Sequence, residues 1–135
     1  MNVNMFPELK KTVLTPERKE ALVVWSLVSA IGRAGLSVGE VAKFVTFCSG
    51  RHVSNYQVKK LLVKFERDGL ANEIVKSYDS GRQRVTYTAR PMLLISLTVM
   101  CKHLPVPLQK TAWERCDDIN NAAWKRYEEL CNDAQ

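Results

Sequence analysis

The sequence predicts a mainly α-helical chain with one small β-hairpin. Before residue 70, apolar residues recur at helical spacing in three successive stretches, each bounded by capping residues and glycine. After Gly69 the period changes to alternation, with β-branched and aromatic residues on both sides of "DSGRQ". The chain has 135 residues, 46% of them hydrophobic and 25% charged, which is typical of a folded globular protein with its own core.

The first predicted helix begins near residue 15. Thr15 can accept a backbone hydrogen bond as the N-cap, Pro16 suits the first helical position, and Glu17 lies in the first turn. The apolar residues at helical spacing are Leu22, Trp25, Leu27, Val28 and Ile31. Gly35 is the expected end of this buried helix.

Two further helices follow at once. Ser37 with Glu40 three residues later forms a capping-box pattern, and Gly50 predicts the end of a helix of about three turns. Ser54 can cap the third helix, and Gly69 suits the left-handed position just beyond its end.

The third helix is amphipathic. At about 100° per residue, its core face is formed by Val58, Leu61, Leu62 and Phe65. The opposite arc has Tyr56, Lys60, Val63 and Arg67, flanked by Gln57, Lys59 and Lys64. One face is therefore expected in the core, while the other is basic and hydrogen-bonding.

The alternating segments "ANEIVKSY" and "RVTYTA" predict a two-stranded hairpin with a glycine turn. Polar and basic residues lie at or near its tip: Lys76, Arg82, Gln83 and Arg84. An isolated hairpin is marginal in water, so this one is expected to pack on the helices.

The C-terminal third is predicted to be helical. "PMLLISLTVMCKHLPVP" has residues that suit either a helix or a strand, and its length favours a buried helix. Thr111 and Glu114 form a capping-box pattern at the start of the last helix. Heptad a/d spacing is shared by Trp113, Cys116, Asn120, Ala123, Tyr127 and Leu130.

Positive charge is concentrated in the middle of the chain. The net charge is +6, and residues 38–90 hold ten lysines and arginines against five acidic residues. Residues 91–135 hold five against six. A local basic excess suits a surface that binds a polyanion.

A helix, a short helix, a turn, a basic amphipathic helix and a basic hairpin form a helix-turn-helix with a wing. The chain resembles winged helix-turn-helix DNA-binding proteins, and among them small bacterial or phage regulators of MarR type. The resemblance rests on "VGEVAKFV", on "VSNYQVKKLLVKFERDGL" and on "SYDSGRQRVTYTA", within residues 15–90. Phe65, where many members have leucine, and the long turn "SGRHVS" depart from the pattern.

The resemblance implies sequence-specific binding to double-stranded DNA, with helix 54–68 in the major groove and wing 71–90 on flanking DNA. Asn55 and Gln57 would bind adenine and Lys60 guanine, and Tyr56 would also meet base edges. The predicted DNA-binding residues are Arg51, Ser54, Asn55, Tyr56, Gln57, Lys59, Lys60, Lys64, Lys76, Arg82, Gln83 and Arg84.

Structural alternatives stand beside these roles. The lysines of the third helix could be ordinary solvated surface, Asn55 could serve in capping, and Tyr56 could cover the edge of the core. His52 suits a turn residue, and Arg67 could pair with a carboxylate.

The large aromatic residues of the last helix favour a subunit interface over packing on the first helix. The predicted interface residues are Trp113, Cys116, Asn120, Trp124, Tyr127 and Leu130. A two-fold dimer would place two recognition helices about one DNA turn apart and bind an inverted repeat. The expected organisation is an N-terminal extension (1–14), a winged helix-turn-helix domain (15–90) and a C-terminal dimerisation segment (91–135).

Other functions are weighed against a homodimeric transcriptional regulator. A winged-helix adaptor that binds protein, in replication or assembly, is the alternative. No catalytic set, cofactor motif or familiar zinc spacing is visible, so neither an enzyme nor a cofactor is expected. "MNVNMFPELKK" lacks the order of a signal peptide, and the apolar run 92–101 is about half a membrane span, so a cytoplasmic protein is expected.

Overall fold

The computed structural model describes residues 14–133, so the predicted N-terminal extension and the signal-peptide expectation fall outside the described residues, Leu14 excepted. The elements in chain order are α1 Pro16–Ser29, α2 Val38–Ser49, α3 Asn55–Arg67, β1 Ala71–Ser77, β2 Gln83–Ala89, α4 Pro91–Met100, a 3-10 turn Cys101–His103 and α5 Val106–Asp133. This order confirms a winged helix-turn-helix followed by C-terminal helices.

Helix α1 is the centre of the core. The Thr15 hydroxyl accepts a hydrogen bond from the Arg18 N–H at 3.2 Å, and every residue from 21 to 28 is buried. The prediction that Gly35 ends this helix is wrong. The helix ends at Ser29, and a turn containing Gly32 in the left-handed region (φ +90°) follows. Gly35 instead lies beside the hairpin.

Helices α2 and α3 begin with capping boxes. Ser37 and Glu40 bond each other's backbone N–H groups at the start of α2, and Gly50 ends it with φ +70°. Ser54 and Gln57 form the same arrangement at the start of α3. The predicted caps of both helices are confirmed, and they satisfy N–H groups that have no partner within the helix.

The core face of α3 is confirmed. Val58, Leu62 and Phe65 are buried and Leu61 is half-buried, whereas the opposite arc is exposed. Beyond the helix, Gly69 adopts φ +76° and its N–H bonds the Glu66 carbonyl. The helix is thus held by one apolar face and by defined ends, which leaves its polar face free of packing.

Strands β1 and β2 form an antiparallel hairpin, the wing. The register runs from Ala71 opposite Ala89 to Ser77 opposite Gln83. At the base of the wing, Leu36 and Tyr87 exchange two backbone hydrogen bonds, of 3.0 and 2.8 Å. This short bridge adds a third segment to the sheet and fixes the wing to the helices.

Helix α4 confirms that the segment beginning at Pro91 is helical, but the α-helix ends at Met100 and is buried on one face only. Leu93 and Leu97 lie in the core. Met92, Ile95 and Val99 share the other face and are more than half exposed.

Helix α5 begins at Val106, five residues before the predicted cap, so the expectation that Thr111 starts the helix is wrong. Pro107 at the second helical position is tolerated because that N–H has no helical partner. The Arg115 guanidinium donates a 2.6 Å hydrogen bond to the Ile31 carbonyl and ties α5 to the turn after α1.

The two ends of α5 differ in packing. Ala112 and Cys116 lie in the same core cluster as α1 and α4. From Asn120 to Asp133 every residue is exposed, a length of about 21 Å at 1.5 Å per residue.

Candidate nucleic-acid interface

The first turns of α3 present polar side chains to solvent. Asn55, Tyr56, Lys59 and Lys60 are exposed, and Tyr56 keeps 71% of its surface. The alternative that Tyr56 covers the core edge is therefore wrong. The Lys60 ammonium lies 5.3 Å from the centroid of the Tyr56 ring, a cation–π distance that holds both side chains over the same surface.

Capping restricts two of the predicted contact residues. Ser54 accepts from the Gln57 N–H, and the Gln57 amide oxygen accepts from the Ser54 N–H, each at 3.2 Å. Only the NH₂ group of Gln57 is left to donate to a base while the cap is intact. Asn55 takes no part in this cap, which contradicts the capping alternative for Asn55.

Ion pairs divide the basic residues of α3. Lys64 lies 3.6 Å from a Glu20 oxygen on α1, and Arg67 lies 3.8 Å from Asp68, as the carboxylate alternative for Arg67 predicted. Lys59 and Lys60 make no ion pair within residues 14–133. The N-terminal half of α3 therefore has the cations that a phosphate or a base can engage without a competing carboxylate.

The tip of the wing is exposed and basic. Lys76, Arg82, Gln83 and Arg84 are all exposed. Gly81 adopts φ +80° in the turn, and the Tyr78 N–H bonds the Arg82 carbonyl. Lys76 faces Arg84 across the two strands, a pairing of like charges that costs free energy unless one of them is neutralised.

Glu40 neutralises Arg84. The Arg84 guanidinium donates to Glu40 Oε1 at 2.9 Å, and the Ser37 N–H donates to the same oxygen at 3.1 Å. The backbone hydrogen bond from Ser37 is the largest of the effects that lower the pKa of the Glu40 carboxyl from its ordinary value. Burial opposes it, and the charge of Arg84 adds a smaller lowering effect. The sequence indicated Glu40 as a cap, but nothing in it indicated a partner 44 residues away.

A groove between the start of α1 and the start of α3 adds a cation that the sequence reasoning missed. Its lining residues are Pro16, Lys19, Glu20, His52, Ser54, Tyr56, Gln57, Lys60 and Leu61. Arg51 is exposed in the turn before α3, and His52 is an exposed turn residue, as predicted. The apolar pattern of the helix that contains Lys19 predicts only a role in the core.

A second surface, here called the aromatic face, consists of Trp113, Trp124, Tyr127 and Leu130 on α5. Each of these side chains is at least half exposed, so the alternative that they pack on α1 is wrong. The Trp124 and Tyr127 rings meet edge to face, with centroids 5.9 Å apart. Asn120 is exposed beside them, whereas Cys116 is buried in the chain's own core and is removed from the predicted interface surface.

The thiols differ in environment. Burial raises the pKa of Cys48 to about 11 and also raises the pKa of Cys101 and Cys116. Cys131 is exposed.

Within residues 14–133, no three His, Cys, Asp or Glu side chains form a group that could hold a metal ion. None of the described helices is long and apolar enough to span a bilayer.

Neither protein-family models nor curated proteins match this chain. Solved structures with a similar backbone include a candidate transcriptional regulator from Thermoplasma acidophilum, with a TM-score of 0.47 and 15% identity over 76% of this chain and 93% of that one. The MepR–DNA complex of S. aureus has a TM-score of 0.46 and 17% identity, over 92% of this chain and 86% of that one. S. aureus MepR bound to ethidium bromide has a TM-score of 0.42 and 16% identity, over 96% of this chain and 84% of that one.

Proposed function

We propose that this chain is a sequence-specific double-stranded DNA-binding protein that acts as a homodimeric transcriptional regulator. The observation that supports the proposal best is the division of α3. One face is locked into the core by Val58, Leu62 and Phe65, and the opposite face presents Asn55, Tyr56 and Lys60 to solvent. A helix held rigidly on one side and basic on the other suits entry into a major groove.

Contacts to bases and contacts to phosphates have different candidates. Lys60 with guanine, and Asn55 or the NH₂ group of Gln57 with adenine, suit direct recognition of bases. Ser54, Tyr56, Lys59 and Lys64 suit phosphates, which position the protein without selecting a sequence. Lys64 would have to leave Glu20 to do so, an exposed pair whose attraction is about 0–1 kcal/mol.

The wing would contact the flanking DNA. Lys76 and Arg82 are exposed and make no ion pair within the described chain, so they are the wing cations best placed to meet phosphates. Arginine is also favoured in a narrow minor groove by its negative potential. Arg51, in the turn before α3, and Gln83, at the start of β2, would add polar contacts.

A second copy of the chain is the proposed partner of residues 91–135. Every residue of the distal half of α5 is exposed, although helices gain most of their stability from packing. The aromatic face and the exposed face of α4 together offer large apolar side chains for that packing. Because this segment has nearly equal numbers of basic and acidic residues, two copies can approach without strong repulsion.

Selection of bound sequences from a random duplex pool tests this function. The expected result is an enriched inverted repeat with half-sites about one helical turn apart. Lys60→Ala should weaken binding to that sequence, whereas Lys110→Ala, an equal change of charge on α5, should not.

Sedimentation of the wild-type chain gives the oligomeric state independently. A folded dimer that enriches no sequence would contradict DNA recognition and favour the protein-binding adaptor. An enriched asymmetric site bound by a monomer would contradict the homodimer alone.

A further inference from the structure

One carboxylate oxygen joins two parts of the winged helix. Glu40 Oε1 accepts from the Ser37 N–H at the start of α2 and from Arg84 in β2. Both partners approach the same atom, so the position of the Arg84 side chain is tied to the first turn of α2. No other ion pair of the described chain joins the wing to a helix.

The base of the wing is fixed just beyond this ion pair. Leu36 and Tyr87 exchange their two backbone hydrogen bonds three residues further along β2. A side-chain carbon added at Gly35 would lie 2.9–3.0 Å from atoms of Thr86, so the backbone before α2 passes directly against β2. The wing therefore has a firm base on one side of Arg84.

On the other side of Arg84 the wing is free. All residues from 76 to 84 are exposed, and the turn at 79–82 is held only by its own backbone bonds. Arg84 is the outermost wing residue that contacts a helix through an ion pair. Beyond it, the direction of the tip depends on how firmly β2 is held at this point, because a two-stranded ribbon twists easily.

We propose that Glu40 and Arg84 are positioning residues that aim the tip of the wing at DNA, and that Arg84 is not itself a phosphate contact. The inference rests on the DNA-binding function proposed above and assigns different roles to neighbouring arginines. Arg82, at the tip, contacts the nucleic acid, while Arg84 keeps its bond to Glu40 in the complex. The sequence alone predicts the same DNA-binding role for both arginines.

The competing arrangement predicts effects of opposite sign. If Glu40 were only a counter-ion that holds Arg84 back, its removal would free a cation and remove a negative charge near DNA, and both changes would tighten binding. If the pair positions the wing, neutralising Glu40 weakens binding in spite of the lost negative charge.

The decisive variant is Glu40→Gln. Glutamine at this position can still accept the Ser37 N–H, as Gln57 does for Ser54 in α3, so the cap is preserved while the charge is removed. Asp79→Asn is the matched control, since it removes one negative charge from the exposed wing turn at a residue that makes no ion pair in the described chain. Arg84→Gln completes the set.

Affinity for the selected duplex is measured across a series of salt concentrations. Glu40→Gln and Arg84→Gln should each weaken binding about two- to fivefold, the range of an exposed ion pair, and the double variant should be no weaker than either one. Asp79→Asn should leave binding unchanged or tighter. The salt slope of Arg84→Gln should equal that of the wild type.

Tighter binding by Glu40→Gln, or a slope shallower by about 0.9 per protomer in Arg84→Gln, would overturn the positioning role. Absence of any selective binding by the wild-type chain would instead contradict the proposed function. Amide hydrogen exchange of residues 83–89, measured without DNA, then still tests whether the bond between Glu40 and Arg84 holds β2. If it does, exchange should be faster in Glu40→Gln than in Asp79→Asn.

Discussion

The salt dependence of binding follows from the ion pairs of the structure. On α3 and on the strands and turn of the wing (residues 71–89), four cations make no ion pair within residues 14–133: Lys59, Lys60, Lys76 and Arg82. Lys60 is the proposed guanine contact, so if each of the other three neutralises one phosphate, a dimer neutralises about six. At about 0.9 per phosphate, the logarithm of affinity should fall with the logarithm of salt at a slope of about −5.

The perturbation is Lys59→Ala, measured by fluorescence anisotropy of a labelled duplex. Between about 50 and 200 mM salt, the wild-type affinity should fall by about 10³. Removal of Lys59 from both protomers should make the slope shallower by about 1.8, because two neutralised phosphates are lost. Lys110→Ala removes the same charge from α5, where Lys110 pairs with Glu114 at 3.9 Å, and should leave the slope unaltered.

Two results would refute this reasoning. A wild-type slope near zero would show that the basic face of α3 does not displace counterions. Equal effects of Lys59→Ala and Lys110→Ala on the salt slope would show that the net charge of the protein matters and that the position of the charge on α3 does not.

Three further predictions concern stability and chemistry. Phe65→Ala should lower the free energy of unfolding by about 3–5 kcal/mol in urea titrations, because a fully buried ring is lost; a change below 1 kcal/mol would contradict its place in the core. Gly35→Ala should lower the free energy of unfolding by about 1–3 kcal/mol, because the added carbon clashes with Thr86. Gly39→Ala, whose added carbon meets nothing closer than 4.0 Å, should leave the free energy of unfolding unchanged or raise it. Equal stabilities of the two variants would contradict the close approach of Gly35 to β2. At pH 8 a thiol reagent should modify Cys131 at once and the other three cysteines slowly, because burial both shields them and raises their pKa; rapid modification of all four would argue against the core.

Local signals predicted most of the fold. The caps at Ser37 and Ser54 and the glycine ends at Gly50 and Gly69 all depend on neighbours within a few residues, so a single sequence displays them. The apolar arc of α3 likewise follows from the helical period alone.

The wrong predictions concern mainly positions whose environment is set by segments that are distant in sequence. The sequence predicts a helix end at Gly35, but its lack of a side chain instead allows the close passage of β2, about fifty residues away in sequence. Cys116 fits the heptad pattern, but α5 leaves the core between Cys116 and Asn120, and periodicity does not show where a long helix loses its neighbours. The capping-box pattern at Thr111 predicts a start that is five residues late, although Pro107 suits the first turn of a helix.

The sequence predicts which side chains of the candidate site are exposed better than it predicts which of them form ion pairs. Exposure of Asn55, Lys59 and Lys60 follows from the helical period. The bond from Arg84 to Glu40 and the pair of Lys64 with Glu20 join residues 44 apart in both cases, and they decide which cations are unpaired. Tertiary contacts of this kind are set by the fold and have no local signature.

The placement of the three tryptophans gives the chain two separate optical signals. Trp25 is buried in the core, so its fluorescence reports folding, while Trp113 and Trp124 lie in water on the aromatic face. Association of two copies would move the emission of the exposed pair to shorter wavelength and leave that of Trp25 unaltered. Dilution of the native protein should therefore reverse that shift before any unfolding is seen, so that the dissociation constant of a dimer can be measured without a label.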